Sequence, residues 1–154
     1  MATVAPHQPW AYALRLPHDP RAARVARMTV RAVLSGHGRG EVLDVVELLT
    51  SELVANAYRH TKGPASLRLT ALGDGRLRVG VWDTSPHVPA PFDQPPGSRV
   101  PPAPVDACRG RGLLLVQAYA DSWGGWSLKA GKLLWCEVGG RDTRSITQRH
   151  QSHT

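Results

Sequence analysis

Hydrophobic and polar positions follow several rhythms along this chain. Trp10-Ala11-Tyr12-Ala13-Leu14-Arg15-Leu16 alternates large residues with small or polar ones and predicts a strand. His18-Asp19-Pro20 then supplies a helix start, with Asp19 as N-cap and Pro20 at the first helical position. Ala22, Val25, Ala26, Val30 and Val33 form an inward stripe that carries the helix to about Leu34. Arg21, Arg24, Arg27 and Arg31 line its outer side, as a solvated basic face or a docking face for an acidic partner. Ser35-Gly36-His37-Gly38-Arg39-Gly40 breaks the helix.

A second helical run begins near Glu41 and stops near Thr61-Lys62-Gly63-Pro64. Val42, Val45, Val46, Leu49, Leu53 and Val54 fall on or near one of its faces. An antiparallel hairpin follows: Ser66 to Leu72, a Gly73-Asp74-Gly75 turn, and a return strand through Leu77, Val79 and Val81. The next 26 residues, 84–109, show no periodicity and hold eight of the 13 prolines, which excludes a helix or a central strand. Gly112 to Ala120 predicts a short helix. Ser122–Leu128 and Leu133–Val138 predict a last hairpin around Lys129-Ala130-Gly131-Lys132. Residues 1–9 and 140–154 lack a core pattern and are expected to be disordered tails. The expected fold class is α/β in two layers, an antiparallel or mixed sheet of about five strands with three helices on one face.

Composition narrows the classes. The 154 residues suit one domain with a core of its own, here placed at residues 10–139. No apolar run is long enough to span a bilayer, and Met1 to Trp10 lacks the order of a secretory signal, so a cytoplasmic protein is expected. Cys108 and Cys136 show no metal-type spacing and are expected to be free thiols. The net charge of +7 admits nucleic acid, nucleotide or an acidic protein as partner. The basic residues are scattered, with no basic block interleaved with aromatics, which argues against nucleic acid as the main ligand.

Chemistry concentrates in three places. Glu52, Asn56 and His60 are spaced four apart and stack along one line of the second helix. A carboxamide oxygen there suits a hard cation such as Mg²⁺, and a carboxylate one turn away suits a general base. Asp83 ends a strand before Thr84-Ser85-Pro86, where a buried carboxylate needs a donor or a turn to serve. Gly110-Arg111-Gly112 opens a helix. Its backbone N–H groups favour an anion there, and Arg109 and Arg111 can add charge-assisted contacts.

In that order, Glu52-x-x-x-Asn56-Ala57-x-x-His60, Asp83-x-Ser85-Pro86 and Gly110-Arg111-Gly112-Leu113 resemble the ATP-binding domain of sensor histidine kinases, gyrase-type topoisomerases and MutL. The match is nearest to the anti-sigma-factor, serine-protein-kinase branch of that family. The resemblance covers residues 10–139. It implies the Bergerat ATP-binding fold, with residues 84–109 as a flexible lid over ATP. It also implies Mg²⁺ on Asn56, Glu52 as the base, and Asp83 as the acceptor for the adenine amine. His60, Ser85, Arg109, Gly110, Arg111, Gly112 and Leu113 would complete the ATP site. The implied activity is transfer of the γ-phosphoryl group to a serine of an anti-anti-sigma-type antagonist protein, with a sigma factor as regulated partner and a second copy of the chain as a further one. The alternative is a non-catalytic ATP-dependent module that sequesters either protein. Two departures stand out: Ser85 and His87 replace the glycines of the usual Asp-x-Gly-x-Gly, and Leu133 or Leu134 is expected where the family often has an adenine-side threonine.

Overall fold

A computed structural model describes residues 8–95 and 111–139, with the backbone alone for 111–114. The elements are β1 (Trp10–Leu16), α1 (Ala22–Gly36), a single 3₁₀ turn (Gly40–Val42), α2 (Leu43–His60), β2 (Ala65–Ala71), β3 (Leu77–Asp83), α3 (Arg111–Tyr119), β4 (Ser122–Leu128) and β5 (Gly131–Val138). The five strands make one sheet in the order β1-β2-β3-β5-β4, and every neighbouring pair is antiparallel. This is the two-layer α/β architecture that the rhythms predict.

Strand alternation decides what the sheet buries. Leu67 and Leu69 of β2, Leu77, Val79 and Val81 of β3, and Leu134, Cys136 and Val138 of β5 are all buried on one face. They meet Ala26, Val30 and Leu34 of α1 and Val46, Leu49, Leu53, Val54 and Ala57 of α2 in one continuous core. Each large aliphatic side chain removed from water there contributes about 1.5–3 kcal/mol before chain entropy is subtracted. Burial also pushes the Cys136 thiol well above the usual cysteine range.

Four details differ from the sequence-based expectation. Helix α1 starts at Ala22 rather than Pro20, because Asp19 organises a turn first: its carboxylate accepts from the Arg21 N–H at 2.8 Å and its carbonyl from Ala22 N–H at 3.0 Å. Val25 is 46% exposed, and Leu34 takes the last core position instead. The final hairpin turns on Lys129 and Ala130 alone, since Gly131 and Lys132 already pair with Leu128 and Ser127 in the ladder. Finally, Phe92 is a core residue inside the proline-rich stretch. It lies over Gly125, where an added Cβ would sit 3.0 Å from the Phe92 Cβ and 2.8 Å from Val88 Cγ1. Residues 84–95 are thereby tied to the β4–β5 end of the sheet, and 96–109 lie outside the described residues.

Candidate functional site

Helix α2 packs directly on β3, with Thr50, Leu53, Val54, Asn56 and Ala57 on its buried side. Asn56 is 2% exposed, and its Oδ1 has no hydrogen-bond partner among the described residues. Leaving such a group dry and unpaired costs about 1–3 kcal/mol, so the lone pair is there for a ligand or an ordered water to take. Glu52, one turn earlier, is half-buried and has no hydrogen-bond or ion-pair partner among the described residues. One turn later, at the helix end, His60 is at the rim. Its ring is held below the usual histidine range first by burial, then by the positive charges of Lys132 and Arg59, with His87 adding and Asp83 opposing. His60, His87, Asp83 and Lys132 therefore share one neighbourhood at the C-terminal end of α2.

The centre of that neighbourhood is an ion pair. Asp83 closes β3 and Lys132 sits opposite it on β5. Lys132 Nζ donates to Asp83 Oδ1 at 3.1 Å and lies 2.8 Å from Oδ2, with the two side chains 1% and 2% exposed. The backbone N–H of Ser85 also donates to Oδ1 at 2.9 Å. This Asx turn holds the carboxylate where the strand ends. Gly131 makes the close approach possible, because a Cβ there would lie 2.0 Å from the Asp83 carbonyl oxygen.

The structure thus brings Asn56, His60, Asp83 and Ser85 to the same end of the molecule, with Glu52 on the same helix line as Asn56. Arg111, Gly112 and Leu113 are in the first turn of α3, which packs against α2. Arg109 and Gly110 lie outside the described residues. The expectation for Leu133 or Leu134 is corrected: Leu133 faces Trp82 on the sheet's other side, and Leu134 faces Val81 in the core. Lys132 is the residue beside Asp83. Reading Lys129–Lys132 as a turn hid it. The alternation Val138, Cys136, Leu134, carried back two more residues, would have placed it on the buried face.

Comparison with known proteins gives three findings. The Histidine kinase-like ATPase domain matches residues 16–133. An uncharacterized protein of Streptomyces coelicolor is 48% identical over 61 residues, 40% of this chain and 51% of that protein. The chain thus spans about half the length of that curated relative. Among solved structures, that of the RsbU and RsbW domains of Rv1364c from Mycobacterium tuberculosis superposes with a TM-score of 0.59 at 20% identity. The superposition covers 82% of this chain and 31% of that one, and at this identity the likeness is one of fold.

Proposed function

The chain belongs to the histidine kinase-like ATPase family, and from that premise we propose that it binds ATP with Mg²⁺ and phosphorylates a protein serine. The observation that carries this reading is the buried, unpartnered Oδ1 of Asn56, one turn from the unpartnered carboxylate of Glu52. That oxygen fits a hard cation, which takes neutral oxygen ligands readily. The Asp83 carboxylate fits an exocyclic amine, because Ser85 and Lys132 hydrogen-bond Oδ1 and leave acceptor capacity on Oδ2.

In this reading the residues divide the work. Asp83, set by the Ser85 turn, accepts from the base. Asn56 holds the metal, whose charge when bound neutralises the phosphates. His60, Arg109, Arg111 and the backbone of Gly110, Gly112 and Leu113 serve the phosphate end. Glu52 takes the proton from the acceptor serine hydroxyl. The acceptor is an antagonist protein of the anti-anti-sigma type, the regulated partner is a sigma factor, and the site of action is the cytoplasm. No helix among the described residues is long and apolar enough to cross a membrane. A second reading is a non-catalytic ATP-dependent binding module, which keeps the roles of Asn56 and Asp83 and gives Glu52 no proton to take.

The test pairs calorimetry with phosphotransfer. The wild type should bind Mg-ATP and label a serine of an antagonist protein. Glu52→Gln should bind ATP unchanged and lose transfer by about 10²-fold or more. Full transfer by Glu52→Gln removes it as the base. ATP binding with no transfer to the antagonists offered puts the binding-module reading first.

A further inference from the structure

We propose that Lys132 reads the nucleotide base: its ammonium donates to N1 of adenine while Asp83 accepts from the exocyclic amine beside it. The inference rests on the reading of this site as a nucleotide site.

The argument starts from a count of donors and acceptors. A carboxylate offers about four lone-pair positions. Ser85 N–H and Lys132 Nζ use two on Oδ1, while Oδ2 lies 2.8 Å from the ammonium as its ion-pair oxygen. Acceptor capacity remains on Oδ2. An ammonium has three N–H donors, and one is donated to Oδ1. Donor capacity remains there too. The pair therefore presents an acceptor next to a donor at the end of a dry strand pair. The Watson–Crick edge of adenine is the complement: the 6-amino group donates and the adjacent N1 accepts.

Burial makes this more than a surface coincidence. Both side chains are 1–2% exposed, so bulk water does not reach the free positions. An ammonium taken out of water needs its charge met and its protons used. Asp83 meets the charge but leaves a proton over. The unpartnered Asn56 Oδ1 on the facing helix is a second dry polar atom in the same end of the core. Unspent positions on β3 and β5, and an unpartnered oxygen on α2, are the polar groups that a ligand at this end of the core would meet.

Lysine also differs from a hydroxyl in this place. A hydroxyl donates or accepts as its rotor allows, whereas an ammonium only donates. Lys132 thus demands an acceptor at the ring position next to the amine, and a base without one leaves a buried charge short of a partner. That makes Lys132 a specificity-determining residue.

The experiment uses the full chain and two ligands, Mg-ATP and Mg-1-deaza-ATP, in which a C–H replaces N1. The wild type should bind the deaza analogue weaker by about tenfold or more, the loss expected for one hydrogen bond from a charged donor. Lys132→Met should bind ATP with a similar loss and no longer distinguish the two ligands. Lys132→Arg, which keeps a cationic donor, should keep the distinction. Equal affinity of the wild type for both ligands overturns the proposal while leaving nucleotide binding intact. So does a Lys132→Met protein that still prefers ATP. Absence of any ATP binding by the wild type overturns the nucleotide reading itself and this inference with it. Should Lys132→Met fail to fold by circular dichroism, the wild-type comparison of the two ligands still decides.

Discussion

Two carboxylates are buried along the β3–β5 pair, and they are held in different ways. Glu137 lies on the face away from the helices, opposite Arg78. It accepts from Arg76 Nη1 at 2.8 Å, from Arg78 Nε at 2.8 Å, and from Arg78 Nη2 as well. Its side chain is 5% exposed, while the two arginines remain 41% and 46% exposed, and the Arg78 guanidinium lies 5.1 Å from the Trp135 ring centroid. The cations stay wet, so little hydration is lost and the carboxylate is well supplied with donors. Asp83 at the opposite end has one cation, equally dry, and both keep hydrogen-bonding capacity in reserve. The first arrangement ties strands together. The second keeps donor and acceptor capacity unspent inside the protein, which is what the proposed binding role of the pair requires.

The sharpest way to break this contrast is Asp83→Asn. It strands the Lys132 ammonium, and the fold should lose about 3–5 kcal/mol in a urea titration. ATP binding should vanish in the same protein. Combining it with Lys132→Met should restore most of the stability but none of the ATP binding. Recovery of both would make the pair a structural clamp like its counterpart. Next in size is Glu137→Gln, which should cost only about 1 kcal/mol, because the freed arginines rehydrate, and should leave ATP affinity unchanged. If it costs as much as Asp83→Asn, the distinction between the two carboxylates collapses.

The smallest effect is a titration. His60 should show an NMR midpoint below the ordinary histidine value of 6.5, since burial, Lys132, Arg59 and His87 outweigh Asp83. A depressed histidine binds fewer protons folded than unfolded, so its contribution to stability rises with pH through the window below 6.5 and is lost as pH falls. Bound Mg-ATP should move the midpoint upward, as anionic phosphates favour the imidazolium. A midpoint unmoved by nucleotide would detach His60 from the phosphate end.

Much of this was legible in the chain because periodicity survives folding. The helix line Glu52-Asn56-His60 and the alternation of β2 and β3 both stand in the structure as the sequence implies. What escaped did so for local reasons. Lys-Ala-Gly-Lys has turn chemistry, and only the strand register shows that its second half is in the sheet. Phe92 is a single aromatic among prolines, with no period to betray its burial. Trp126 is an aromatic within a strand, yet β4 is an edge strand and leaves it 67% exposed. Asp83 was legible as a chemical group, but its partner was not, because ion pairing across strands leaves no trace in sequence spacing.

Gly131 gives this site an unequal capacity for change. Its missing side chain leaves room for the Asp83 carbonyl, so every substitution there must move the end of β3. Lys132, its neighbour, is under no such constraint of backbone shape. A single-nucleotide change converts a lysine codon to one for threonine or methionine. On the proposed reading, copies of this chain produced by gene duplication can diverge in what they recognise by changing Lys132 together with its partner Asp83, while the adjacent glycine stands still. Variation among paralogues should collect at the reader and spare the floor beneath it.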